Sequence, residues 1–278
     1  MRALCSRQHL VVGAALLLLV ATGCQTVSVK QRDIARVHFE LAVKAHSIGD
    51  PRAALAEVES SLKTDPSNAE AHNFRGLVLF LPPFRQREEA IAEYRKSIEL
   101  DPKNADAKVN LGAALMAMER WEEAMAPLDE ARHDMIYQDA HLAEGNFGWC
   151  KYKLGDVQGA LQHLSAAVEM RPSFCLGYRN IAEIHEAAGA LEEASRWLER
   201  YSKTCPDFPD ADYRRGMVLL KRGSLCEARA AFLACRDKAK AGELGDECGK
   251  QVGLVPAASC GVVAAPPPDG EEPSPEPQ

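Results

Sequence analysis

Six alanines, Ala54, Ala90, Ala124, Ala160, Ala194 and Ala228, are separated by 36, 34, 36, 34 and 34 residues, and each opens a similar short phrase. Four residues after each stands a large apolar side chain: Val58, Tyr94, Leu128, Leu164, Leu198 and Phe232. About twelve residues before each stands a second small residue: Ala42, Gly76, Gly112, Gly148, Ala182 and Gly216. A repeat of this length makes one helical hairpin, which cannot bury its own apolar face and must stack on its neighbours. Small residues at fixed places let two helices cross at short range, where a larger side chain would hold the backbones apart.

The punctuation agrees. Gly49, Gly155, Gly189 and Gly223 stand where a first helix must end in a residue that tolerates positive φ. Asp65-Pro66, Asp101-Pro102, Arg171-Pro172 and Cys205-Pro206 stand where a second helix must stop, since proline disfavours the α conformation in its predecessor. This pattern resembles the tetratricopeptide repeat. The expected fold is all-α: a right-handed superhelical solenoid of six helix-turn-helix repeats, at 35–68, 69–104, 105–140, 141–174, 175–208 and 209–242. A composition of 46% hydrophobic but only 6% aromatic residues suits such close helix packing. Two repeats depart from the pattern: the second carries two extra residues around Leu81-Pro82-Pro83-Phe84, and the third reads Met135-Ile136-Tyr137 where a proline should close it. The apolar insertion is expected to fold back on its own hairpin.

The ends differ from the middle. Arg2 and Arg7 precede an apolar run from Leu10 to Ala21 and then Thr22-Gly23-Cys24. That is the form of a secretory signal peptide at 1–23, and the run is too short for a ~30 Å hydrocarbon core. Ala21-Thr22-Gly23-Cys24 resembles a bacterial lipobox, with Ala21 where leucine is usual. The resemblance implies diacylglyceryl and N-acyl chains on Cys24, a lipidated linker at 24–34, and no other cofactor. Several acyl chains suffice for stable anchoring. Gln25, rather than an aspartate, implies sorting to the outer membrane. Removal of residues 1–23 takes the net charge from −7 to −9, which disfavours nucleic acid as a partner. Residues 243–263 are expected to cap the solenoid. The proline-rich, acidic stretch 264–278 lacks the apolar groups that would repay ordering, and is expected to be disordered.

Stacked hairpins of this kind leave a concave groove lined by first helices. Its facing positions are roughly the fifth, ninth and twelfth of each hairpin. The first four repeats supply Phe39, Val43 and His46; Asn73, Leu77 and Phe80; Val109, Ala113 and Met116; and Gly145, Trp149 and Tyr152. Repeat five supplies Arg179, Glu183 and Glu186, and repeat six Tyr213, Met217 and Leu220. An apolar stripe across four repeats points to an apolar or amphipathic protein segment as ligand. The competing reading places part of the stripe in the core between repeats.

Catalytic constellations are absent. His185-Glu186-Ala187-Ala188-Gly189 begins like a zinc-protease motif but has glycine at the second ligand position. No nucleophile elbow, phosphate loop or dinucleotide turn occurs, and neither an enzymatic activity, a metal nor a small-molecule substrate is expected. Beyond Cys5 and Cys24, seven cysteines remain, an odd number, with no Cys-x-x-Cys pair. Cys175 opens the first helix of hairpin five and Cys205 follows its second, so both lie at one end of that hairpin; a disulfide and two separate buried thiols are both open readings. Cys235 can staple the C-terminal cap through Cys248 or Cys260.

The phrases Gly145-Asn146-Phe147-Gly148-Trp149, Pro172-Ser173-Phe174-Cys175-Leu176-Gly177-Tyr178, Cys205-Pro206-Asp207 and Tyr213-Arg214-Arg215-Gly216, set behind a lipobox and among six such repeats, resemble the type IV pilus pilotin lipoproteins of the PilF/PilW/Tgl group, and within it the Tgl branch. The resemblance covers residues 20 to about 250. It implies an anchored solenoid on the periplasmic face that captures secretin subunits and promotes their assembly into the outer-membrane ring through which a pilus emerges. A scaffold lipoprotein for another envelope complex, such as barrel assembly or cell-wall synthesis, would carry the same tether and groove.

Overall fold

The computed structural model describes residues 27–240 and 242–260; the signal sequence, Cys24 and the acidic tail lie outside the described residues. Thirteen α-helices and a short 3-10 turn make up the described chain. They are α1 (Val29–Ser47), α2 (Pro51–Thr64), α3 (Ala69–Phe80), α4 (Arg87–Leu100), α5 (Ala105–Met116), α6 (Trp121–Arg132) and α7 (Ala140–Lys153). There follow α8 (Val157–Met170), α9 (Cys175–Ala187), α10 (Leu191–Thr204), α11 (Asp210–Arg222), α12 (Leu225–Ala239), α13 (Glu243–Leu254) and the turn Ala257–Cys260.

Consecutive helices pair as hairpins, each second helix packs on the next first helix, and α3, α5, α7 and α9 also touch in succession. That pattern is a solenoid, with first helices on one face and α13 against α12 at the end. Helix starts are set by short polar caps: Asn68 accepts from the Ala71 amide at 3.0 Å, Asn104 from Ala107 at 2.9 Å and Asp156 from Gly159 at 2.8 Å. Helix α1 begins earlier than the expected linker 24–34 allows, because Ser28 and Gln31 form a reciprocal capping box that starts it at Val29.

The six periodic alanines are all fully buried, and Val58, Tyr94, Leu128, Leu164, Leu198 and Phe232 are at most 2% exposed. The small residues twelve or so positions earlier sit beneath them. A Cβ on Gly76 would lie 2.7 Å from the Tyr94 ring, and one on Gly112 2.5 Å from Leu128 Cγ. In hairpins two, three and six the crossing is backbone-close and filled by one bulky side chain from the second helix. Gly49, Gly155, Gly189 and Gly223 all have positive φ. Hairpins two and three turn instead on Arg85 (φ 55) and Glu119 (φ 58). The insertion of repeat two does fold back: Phe84 packs against Ala45, Ala54 and Val78, reaching hairpin one as well as its own.

Cys175 and Cys205 are disulfide-bonded, with Cα atoms 6.0 Å apart, and close the open end of the α9/α10 hairpin. Cys235 pairs with Cys248, fastening α13 to α12. Cys150 is a fully buried thiol, and burial pushes its pKa up to about 12.

Candidate partner-binding groove

The first-helix face is partly the open stripe that the spacing predicts and partly core. Val43 is 42% exposed. Phe39 and Leu77 are half-buried, and Phe39 meets Phe74 edge-on with ring centroids 5.7 Å apart. Asn73 accepts a 3.0 Å hydrogen bond from the Asn110 side chain, tying α3 to α5. Phe80 and Met116 are half-buried against the core of hairpins two and three. Trp149 and Tyr152 meet with ring centroids 5.1 Å apart and planes inclined at 43°, and lean on the core of the C-terminal half, while the Lys153 ammonium stands 4.9 Å from the Trp149 ring.

Val109 is a correction. It is only 6% exposed and packs with Ala105, Ala131 and Ala143, because α7 closes over α5 at that turn. Gly145 is likewise core: a Cβ there would lie 2.5 Å from the Phe174 ring. Farther along, Glu186 is paired with Lys221, and Tyr213, Met217 and Leu220 are half-buried against the last hairpin.

The structure also assembles a recess that the spacing rule did not delineate. A hollow of about 460 Å³ opens between α1, α3 and α5. Phe39, Phe74, Leu77 and Tyr137 give it apolar walls, and Glu70, Asp101, Asp106 and Asp134 stand around it. Ile136 forms part of its lip and is 87% exposed; the adjacent Met135 is 99% exposed. Phe74 was missed because it falls one position after the fifth of its hairpin. Tyr137 and Ile136 were missed because they sit in the loop between α6 and α7; the missing proline of repeat three marked that loop as unusual without saying which way it faces. A second hollow, of about 730 Å³, lies at the other end between Tyr213 and the acidic start of α13.

Some charges away from these recesses are matched across helices. Glu93 lies between His72 and Arg75, and Arg75 also reaches Glu59 at 3.3 Å, so one guanidinium joins hairpins one and two. Burial alone would raise the Glu93 pKa; the His72 hydrogen bond and the Arg75 charge outweigh it and hold the carboxyl below its ordinary range. Among the described residues no group of three or more His, Cys, Asp or Glu side chains is placed to hold a metal.

Residues 39–81 and 146–207 match the family described as Tetratricopeptide repeat, and residues 86–119 match the one described as TPR repeat. The chain is a tetratricopeptide-repeat solenoid. This solenoid is similar to the crystal structure of PilW, titled a widely conserved type IV pilus biogenesis factor, with a TM-score of 0.69 and 23% identity over 77% of this chain and 97% of that one. It is similar to pilF of Pseudomonas aeruginosa, with a TM-score of 0.65 and 18% identity over 80% of this chain and 99% of that one. It also superposes on the APC/C hetero-tetramer Cut9-Hcn1, with a TM-score of 0.64 and 13% identity over 78% of this chain and 42% of that one. At such identities the likeness is one of fold. No curated protein matches the sequence.

Proposed function

We propose that this tetratricopeptide solenoid is an outer-membrane pilotin: acyl chains on Cys24 hold it on the periplasmic face, and its first-helix groove captures secretin subunits for assembly into the type IV pilus ring. It binds protein and does no chemistry of its own. The observation that carries the reading is coverage. The solenoid spans nearly the whole of PilW and of pilF with a comparable arrangement of helices, so the likeness extends beyond a shared hairpin to the full array. The half-buried aromatics Phe39, Phe80, Trp149 and Tyr152 along one face supply apolar surface for a partner segment.

The test is capture from detergent-solubilised envelopes by the tagged mature chain. Secretin is expected in the eluate, reduced by Trp149→Glu at unchanged helix content. Retention of a barrel-assembly or cell-wall enzyme in place of secretin would replace this reading with the scaffold alternative. For the anchor, Cys24→Ala should release a folded chain to the soluble fraction, and unchanged membrane fractionation would remove the lipid from the account.

A further inference from the structure

We propose that the recess between α1, α3 and α5 takes a cationic amphipathic segment of the partner, with an apolar side chain seated on Phe39, Phe74 and Leu77 and a lysine or arginine beside it facing Glu70, Asp106 and their neighbours. The inference rests on the partner-capture reading above and narrows it to a ligand chemistry.

Charge placement carries it. The recess bears four carboxylates, Glu70, Asp101, Asp106 and Asp134, against one ammonium, Lys103. Several carboxylates elsewhere on the solenoid are ion-paired with an arginine: Glu93 with Arg75, Glu123 with Arg120 and Arg95, Glu144 with Arg132. Among the described residues no cation lies within ion-pair distance of the four recess carboxylates. Their partners are neutral. Asp106 accepts from the Tyr137 hydroxyl at 3.0 Å, and Asp101 and Asp134 accept from the backbone amides of Lys103 and Ile136, each at 3.0 Å. Uncompensated negative charge beside an apolar floor favours a ligand that brings both a greasy side chain and a positive one.

The same field excludes other occupants. Residues 261–278 of this chain carry Asp269, Glu271, Glu272 and Glu276 and no lysine or arginine, so like charge keeps that segment out. Anionic lipid headgroups are repelled for the same reason. A second acidic recess lies at the far end, with Glu243, Asp246 and Glu247 against Lys250.

Fluorescence anisotropy of the mature chain with three labelled peptides tests this. The peptides share one leucine- and phenylalanine-containing centre and differ only in lysine, glutamine or glutamate flanks. The lysine peptide should bind about tenfold tighter than the glutamine peptide at low salt, and the glutamate peptide weakest, with the gaps closing as salt rises. Glu70→Gln with Asp106→Asn should remove most of that preference at unchanged melting temperature, whereas Leu77→Ser should weaken all three. Equal binding of the three peptides overturns the inference. Undiminished secretin capture by the Glu70→Gln/Asp106→Asn chain overturns it too, while leaving the pilotin reading standing. A lysine preference in a chain that captures no secretin does the reverse.

Discussion

A methyl group added to Gly216 would lie 2.4 Å from Cε1 of Phe232, so α11 crosses α12 with only a hydrogen between its backbone and the ring. No real side chain fits there, and the ring, fully buried, has nowhere to go. Gly216→Ala should therefore destabilise the chain by about 1–3 kcal/mol through overpacking, and pairing it with Phe232→Leu should recover part of the loss. Gly249 is the internal control: it too is helical, in α13, but a Cβ there meets nothing within 4 Å. Gly249→Ala should stabilise by up to about 1 kcal/mol. Urea denaturation of the three variants checks the opposite signs.

The Cys175–Cys205 bond closes a segment with a sequence separation of 30 and spans hairpin five from end to end. Restricting the unfolded chain over such a loop is worth about 2–4 kcal/mol. The double variant Cys175→Ala/Cys205→Ala should lose roughly that amount in urea denaturation under oxidising conditions. In reductant the gap between variant and parent should shrink, because the parent loses the same constraint.

The fold was legible because its information is local and repeated. Each crossing needs a tiny residue and an alanine followed by a bulky one, which is stated six times over; the turn glycine and the closing proline are each stated four times. The groove was only half legible. Phe39, Leu77, Trp149 and Tyr152 lie where first-helix spacing puts them, but Val109 is covered by α7, and superhelical phase, which decides such covering, depends on how neighbouring hairpins stack. The acidic recess was illegible for another reason: Asp101, Asp134 and Tyr137 come from loops between hairpins, where no period applies.

Acid should loosen the second hairpin, where α3 and α4 are tied by Glu93. Glu93 has its folded pKa held below 4.5, so its pairing with His72 and Arg75 contributes stability above about pH 4.5 that is lost as pH falls through the lower folded value. Melting temperature should drop across that interval, and Glu93→Gln should flatten the drop while lowering the plateau near neutrality. A set of thermal melts from pH 7 to 3 reads both effects; parallel curves for variant and parent would show that other carboxylates dominate.

Glu119 holds a left-handed backbone, φ 58, at the turn where hairpins one, four, five and six use Gly49, Gly155, Gly189 and Gly223. Its amide bonds to the Met116 carbonyl at 3.0 Å, so the turn is made as in the other hairpins, but against the clash of a Cβ with its own backbone. The exposed side chain makes no ion pair among the described residues that would offset the strain. Glu119→Gly should then stabilise the chain by about 1 kcal/mol, while Glu119→Ala, which keeps the Cβ and discards the carboxylate, should leave stability near that of the parent. The reciprocal change, Gly49→Ala at φ 78 with open space around it, should cost about the same 1 kcal/mol. Denaturation midpoints for the three variants test the argument, and a gain in Glu119→Ala equal to that in Glu119→Gly would locate the effect in the charge instead of the backbone.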